Sequence, residues 1–274
     1  MLPLRSSFFI AALVVSLPAV SQQASLLHIA KDEKSEQKNV LRSLLALKES
    51  EEAIFWPLYE QYEQQLQSTS AVAPANLSGE ADNPNSVVHQ AFNNRYRSVR
   101  VRKDFFEKIN SAINGTVALK FLQSEALTEL MQKSKSCELD FGEQLVWDKR
   151  FINDEQLKFE RMVALLNPSR EFIDELKMVF DDFEFEYSRV VGHQFVWFEL
   201  YVEDPLELTP AQCRKMGTEF LQQQYNEIGV AQRFFKQLAS KTDENLAEMF
   251  IMLEDYFNTM AKLEVWSDLV FAAR

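Results

Sequence analysis

The sequence predicts an all-α protein made of two related antiparallel helical-hairpin modules of long amphipathic helices. Glycine is scarce, with 6 in 274 residues, whereas average usage is about 7%, so there is little material for tight hairpins or phosphate-binding loops. Apolar residues recur every three or four positions, which is the period of a helix. A third observation is that residues 103–131 and 232–260 are alike. Together these features predict helices in a duplicated arrangement.

The duplication is clearest when these two stretches are aligned without a gap. The identical pairs are Phe105/Phe234, Phe106/Phe235, Ser111/Ser240, Ala118/Ala247, Phe121/Phe250, Glu125/Glu254 and Met131/Met260. Ordinary composition would give about two such pairs, and both stretches contain a helix break at the same place. Further upstream, residues 57–63 and 178–184 share a looser aromatic and acidic pattern.

Residues 1–21 have the pattern of a secretory signal peptide. Arg5 precedes an apolar run from Phe8 to Leu17, and small residues follow at Ala19 and Ser21. We expect cleavage after Ser21. The run is shorter than the roughly 20 residues that cross a bilayer, and no later segment comes closer, so no membrane span is predicted.

The first module is assigned to residues 22–135. Its apolar period predicts helices over residues 26–48, 51–67 and 87–111, and another from residue 116 onward. Pro57 lies inside the second helix and predicts a kink. Residues 68–86 are rich in Ser, Ala, Asn and Pro, which predicts a flexible loop. Asn114 and Gly115 predict a break between the last two helices.

Residues 136–166 are predicted to be a connecting helical segment, and residues 167–274 the second module. Asn167 is predicted to be the N-cap of a long helix, with Pro168 at its first position. Pro205 should end that helix.

The next helix begins at the string LTPAQ, residues 208–212. Thr209 can cap it, Pro210 suits the first helical position, and Gln212 can complete a capping box. We expect this helix to reach about residue 240, with Thr242 or Asp243 capping a last helix that ends near residue 272.

The charge of the chain limits its partners. The net charge is -12 and the pI about 4.9, which argues against nucleic acid or an anionic membrane surface because both would repel the protein. The acidity suits a metal cation or a basic client. Cys137 and Cys213 are the two cysteines; they could form a disulfide that joins the two halves, or remain two separate buried thiols.

The string LTPAQ, followed by AQRFFKQL (231–238) and LAEMFIMLEDYF (246–257), resembles the LTxxQ family of exported helical proteins typified by the chaperones Spy and CpxP. SEEAIFWPLYEQYEQQL (50–66) and ALKFLQSEALTELM (118–131) are similar to a group of uncharacterised exported helical proteins. The resemblance implies an all-α hairpin fold, a periplasmic location and binding of unfolded clients or of an envelope-stress sensor; some relatives bind metal ions. The first module lacks the LTxxQ string, and the acidity differs from the basic binding face of the known chaperones.

Two segments are candidate partner surfaces. The basic run contains Arg95, Arg97, Arg100 and Arg102; it either pairs within the molecule, with the acidic helix 51–63 or the second module, or docks an acidic client. The apolar run 195–202 includes Phe195, Trp197 and Phe198. It is either buried between helices or exposed to a partner.

The remaining candidates for chemistry have simpler structural explanations. His28, His89 and His193 have no second ligand at a suitable helical spacing, and Met249, Met252 and Met260 are expected in the core. Glu125 and Glu254 would do acid–base work only if they met in a dry cleft; surface carboxylates or a salt bridge repeated in both modules is the favoured alternative. No catalytic residue, cofactor or metal site is predicted, so the protein is not expected to be an enzyme.

These observations favour an exported, non-enzymatic protein that binds another protein, either as a chaperone-like protein or as an adaptor in the bacterial envelope, and that resides in the periplasm. Two alternatives remain at the level of sequence. One is a metal-responsive or metal-buffering periplasmic protein, and the other is a structural subunit of an envelope assembly.

Overall fold

The computed structural model describes residues 34–70, 84–141, 147–191 and 208–272. Within these ranges all regular structure is helical and no strand occurs, which confirms the all-α class. The helices are α1 (Lys34–Leu45), α2 (Glu49–Ser70), α3 (Pro84–Ala112), α4 (Gly115–Phe141), a 3₁₀ turn (Lys149–Ile152), α5 (Glu155–Leu166), α6 (Arg170–Val191), α7 (Pro210–Lys241) and α8 (Glu244–Ala272). The signal peptide predicted over residues 1–21 lies outside the described residues.

The start of α7 has the predicted capping box. Thr209 Oγ1 accepts from the Gln212 backbone N–H at 3.3 Å, and Gln212 Oε1 accepts from the Thr209 backbone N–H at 2.9 Å. Pro210 occupies the first helical position. At the start of α8, Asp243 Oδ1 accepts from the Leu246 backbone N–H at 2.9 Å, so Asp243 is the cap of the two candidates.

Two predicted boundaries are wrong. Asn167 does not begin a helix but ends α5, where it has a left-handed backbone (φ 46°) and its N–H bonds the Val163 carbonyl at 2.8 Å. Asn tolerates this conformation at a helix C-terminus, and α6 begins only at Arg170. The loop predicted over residues 68–86 is helical at both ends, because α2 extends to Ser70 and α3 begins at Pro84.

Helices α3, α4, α7 and α8 form the centre of the described structure. α3 packs against α7, and α4 packs against both α7 and α8. On the outside, α2 lies against α3 and α6 lies against α7. Buried residues from both halves belong to one continuous apolar cluster, so the centre of the molecule is shared by the two halves.

Phenylalanine and tyrosine rings fill this core in a similar way in both halves. Tyr62 and Phe105 stack with centroids 4.5 Å apart, and Phe183 and Phe234 stack at 4.1 Å. These rings lie on α2 and α3 in the first half and on α6 and α7 in the second. In the part of the chain that the structure describes, no helix is both long enough and apolar enough to cross a membrane.

Candidate functional site

A polar cavity of about 410 Å³ lies among the four central helices. We call it the central cavity. It is lined by Asn94, Arg95, Ser98, Val99 and Arg102 of α3, Ala126, Glu129 and Leu130 of α4, Phe220, Gln224, Glu227 and Ile228 of α7, and Lys262 of α8. Charged residues are rarely enclosed in this way unless they are paired, so their partners decide what the cavity can bind.

Each of the three cations in the wall has a carboxylate partner. Arg95 Nη2 lies 3.1 Å from Asp255 Oδ1, and Arg102 Nη1 lies 2.7 Å from Glu129 Oε2. Lys262 Nζ pairs with Glu227 Oε1. The pairing crosses between helices in every case, so the charges also hold α3, α4, α7 and α8 together around the cavity.

Among the residues that the structure describes, three buried polar atoms in the wall have no hydrogen-bond partner. They are the donor Arg102 Nε and the acceptors Asn94 Oδ1 and Gln224 Oε1. The Arg102 side chain is only 9% exposed. Leaving a buried polar atom unpaired costs about 1–3 kcal/mol, so these atoms are poised to bond a guest in the cavity.

A partly buried carboxyl group adjoins the cavity in the first half. Tyr62 Oη donates to Glu125 Oε2 at 2.6 Å. Burial raises the pKa of Glu125, although the nearby Arg102 guanidinium and the Tyr62 hydrogen bond both oppose that rise. Burial and the charge of Glu125 together raise the pKa of the Tyr62 phenol well above its ordinary value, so Tyr62 remains a hydrogen-bond donor at neutral pH.

A second network, in the second half, contains a buried cation with two carboxyl groups. Lys158 Nζ of α5 contacts Glu184 Oε1 and lies 2.7 Å from Glu254 Oε1. Asn258 Nδ2 donates to the same Glu254 oxygen at 2.8 Å. Glu254 is 1% exposed. Burial raises the pKa of Glu254 to about 8, with Lys158 opposing the rise and Glu184 adding to it.

This geometry corrects two sequence interpretations. Glu254 is not a surface carboxylate but lies in the interior, where it contacts Lys158 as the salt-bridge alternative expects, whereas its counterpart Glu125 accepts a hydrogen bond from Tyr62. Met249 and Met252 are not core residues, because 41% and 37% of their surface is exposed. Over the described ranges, no group of three or more His, Cys, Asp or Glu side chains is placed to hold a metal ion.

The basic run divides between interior and surface. Arg95 and Arg102 face the central cavity, whereas Arg97 and Arg100 are exposed. Arg95 pairs with Asp255 in the second half, as in the intramolecular alternative, but Arg102 pairs with Glu129 of α4, a partner that the sequence did not predict. Phe195, Trp197 and Phe198 lie outside the described residues.

Cys213 is a free, buried thiol. Its Sγ lies 3.7 Å from Thr116 Oγ1 at the start of α4. Cys137 is on the same helix, 137 minus 116 or 21 positions further along, which is about 31 Å at 1.5 Å per residue. A disulfide needs Cα atoms within about 7 Å, and the structure shows Cys213 as a free thiol, as in the alternative of separate thiols.

Sequence reasoning did not find Asn94, Gln224, Glu227, Lys262 or Lys158 as site residues. Lys262 is a basic residue inside an apolar helical pattern. That pattern is a weak signal of a buried charge that needs a partner. Comparisons with protein-family models, curated proteins and solved structures found no match to this chain.

Proposed function

We propose that this is an exported, non-enzymatic protein-binding protein, a chaperone-like protein or adaptor of the bacterial envelope. The observation that carries the proposal is a pair of exposed apolar side chains on α6. Phe185 is 67% exposed and Met178 58% exposed. They are seven positions apart, which puts both on one side of the helix. We call Met178 and Phe185 the α6 stripe.

The α6 stripe suits a binding role because burying a side chain of this kind contributes about 1.5–3 kcal/mol. Methionine adapts its shape to different partners and is frequent on surfaces that bind many sequences. The exposed Asp181 and Asp182 lie on the same face of the helix between the two apolar side chains, and Glu186 is exposed beside them. An apolar stripe among carboxylates favours a client segment that combines apolar and basic residues.

We also propose that the chain is a duplicated four-helix unit. Helices α1 and α5 are 12 residues each, and α2 and α6 are 22 residues each. Tyr96 and Tyr225 stack at 6.1 Å and are 225 minus 96, or 129, positions apart, the same spacing as the identical pairs. On this proposal the second copy begins near residue 155, inside the stretch predicted from sequence to be a connector.

The duplication offers matched controls, because the two copies differ on their surfaces. The positions equivalent to Met178 and Phe185 are Pro57 and Gln64 in the first copy. The α6 stripe is therefore present in the second copy and not at the equivalent positions of the first. A substitution at Gln64 changes the equivalent surface position of α2 and serves as the control.

Suppression of aggregation of a chemically denatured model protein tests the proposal. The mature protein should reduce light scattering, and Met178→Ser with Phe185→Ser should lose most of that effect while circular dichroism stays helical. Gln64→Ser should behave as the unchanged protein. A mature protein without effect on scattering, and without a partner recovered by cross-linking in periplasm, would refute both the chaperone and the adaptor forms of the proposal.

Export is tested separately. Fractionation of a Gram-negative cell producing the full chain should recover a protein shortened by the presequence in the periplasm, with Ser21 as the last residue removed. Recovery of the full-length chain in the cytoplasm would contradict the proposed location.

A further inference from the structure

We propose that the central cavity binds a small zwitterionic molecule the size of an amino acid or a dipeptide. This goes beyond the proposed protein-binding function, because the cavity lies among the central helices whereas the α6 stripe lies on an outer one. The volume of about 410 Å³ is within the range of about 300–1,000 Å³ that small-molecule sites occupy.

The unpaired atoms of the wall define the chemistry of the guest. Arg102 Nε–H needs an acceptor, while Asn94 Oδ1 and Gln224 Oε1 need donors. A carboxylate is the strongest partner for a guanidinium N–H. An ammonium or amide N–H group satisfies the two side-chain carbonyl oxygens. One zwitterion supplies both kinds of group, whereas a simple anion supplies acceptors alone.

The charge balance of the wall also favours a zwitterion. Arg95, Arg102 and Lys262 are already neutralised by Asp255, Glu129 and Glu227 respectively. A guest with a net charge would enter with no counter-charge left to neutralise it, at a considerable cost in desolvation. A molecule with equal positive and negative charge avoids that cost.

The spacing along α3 limits the length of the guest. Asn94 and Arg102 are 102 minus 94, or eight, positions apart on this helix, which is about 12 Å along the axis. An extended dipeptide covers about 7 Å, and a hydrogen bond of roughly 3 Å at each end brings the total close to that separation. Gln224 contributes its carbonyl oxygen from α7.

Calorimetric titration of the whole mature protein, without the presequence, tests this assignment. The probes are glycine, L-alanine, glycylglycine and L-alanyl-L-alanine, with succinate and inorganic phosphate as anions that lack an N–H donor. We expect at least one amino acid or dipeptide to bind with a dissociation constant of about 1 mM or lower, and the two anions to bind more weakly.

Gln224→Leu removes one unpaired oxygen while nearly preserving volume, and should weaken binding by about tenfold or more. Gln237→Leu, at an exposed position of the same helix, should leave binding unchanged. Should Gln224→Leu fail to fold, Ala126→Leu narrows the cavity from α4 and should weaken binding at least as much.

Three results would overturn the proposal. One is the absence of binding of all amino acid and dipeptide probes at about 10 mM, which would mean that the cavity holds water alone. Another is binding of succinate or phosphate in preference to every zwitterion. The third is equal affinity for the unchanged protein and a folded Gln224→Leu or Ala126→Leu variant. None of these depends on the aggregation assay, so the two proposals can fail independently.

Discussion

At the scale of single residues, Glu254 has the most informative ionisation. Burial raises its pKa from 4.5 to about 8, so it is mostly protonated in the folded protein at neutral pH and ionised in the unfolded chain. The folded state therefore binds one more proton than the unfolded state between these values. Since stability falls with pH wherever the folded state binds more protons, Glu254 should reduce the free energy of unfolding progressively as pH rises from about 4.5 to 8.

Glu254→Gln should remove this pH dependence. The glutamine amide resembles a protonated carboxyl group, so it can still accept from Lys158 and Asn258. We expect the variant to equal the unchanged protein near pH 5 and to exceed its free energy of unfolding by about 1 kcal/mol or more at pH 9. Urea unfolding at several pH values measures the difference.

Glu184→Gln is the control for that experiment, because Glu184 is the other carboxyl group on Lys158. Its loss removes one ion-pair partner of the buried Lys158 ammonium and also one cause of the raised pKa of Glu254, so Glu254 can ionise in its place and the cost at neutral pH should be at most about 3 kcal/mol. Equal destabilisation by the two glutamine variants across the pH range would show that Glu254 is an ionised partner of Lys158 and would refute the assignment.

At the scale of elements, two glycines inside α7 should respond oppositely to alanine. A Cβ at Gly217 would lie 2.3 Å from Phe106 Cζ, and Phe106 is fully buried and cannot move aside. We expect Gly217→Ala to destabilise the protein by about 1–3 kcal/mol. A Cβ at Gly229 would lie 3.4 Å from Tyr96 Oη, an ordinary contact, and Gly229→Ala should stabilise it by up to about 1 kcal/mol.

Thermal unfolding of both variants measures these effects. Phe106→Leu should relieve part of the loss in Gly217→Ala, since the shorter side chain leaves space for the new methyl group. If Gly217→Ala stabilised the protein instead, the Phe106 ring of α3 could not lie as close to position 217 of α7 as the structure shows.

The helix ends show what the sequence can and cannot predict. The capping box of Thr209 and Gln212 was found correctly because both partners are local and the pattern has one interpretation. Asn167 was misassigned because asparagine suits the start of a helix as well as a left-handed end. The cavity was missed because its pairs are distant, as with Arg95 and Asp255 at 160 positions apart, and helical period alone does not reveal which helices face each other.

At the scale of the whole molecule, the shared apolar core predicts that both halves unfold together. Phe121 in the first half and Phe250 in the second are core residues of one cluster, and α3, α4, α7 and α8 pack across the boundary. Separate modules joined by a connector would instead unfold independently. Cooperative unfolding in a single step is expected where packing is continuous.

A variant that keeps Trp147 and has its other tryptophans replaced gives a fluorescence signal from a single site. Trp147 reports on the second half, because its ring lies 5.8 Å from Phe151 and 6.4 Å from Phe257. Phe121→Leu, placed in the first half of this protein, should lower the stability measured at Trp147 by roughly 1–3 kcal/mol. The matched change Phe250→Leu should lower it by a similar amount, and circular dichroism should give the same midpoints as fluorescence. If Phe250→Leu lowered the unfolding midpoint reported by Trp147 and Phe121→Leu left it unchanged, the two halves would be energetically separate despite the helices that pack between them.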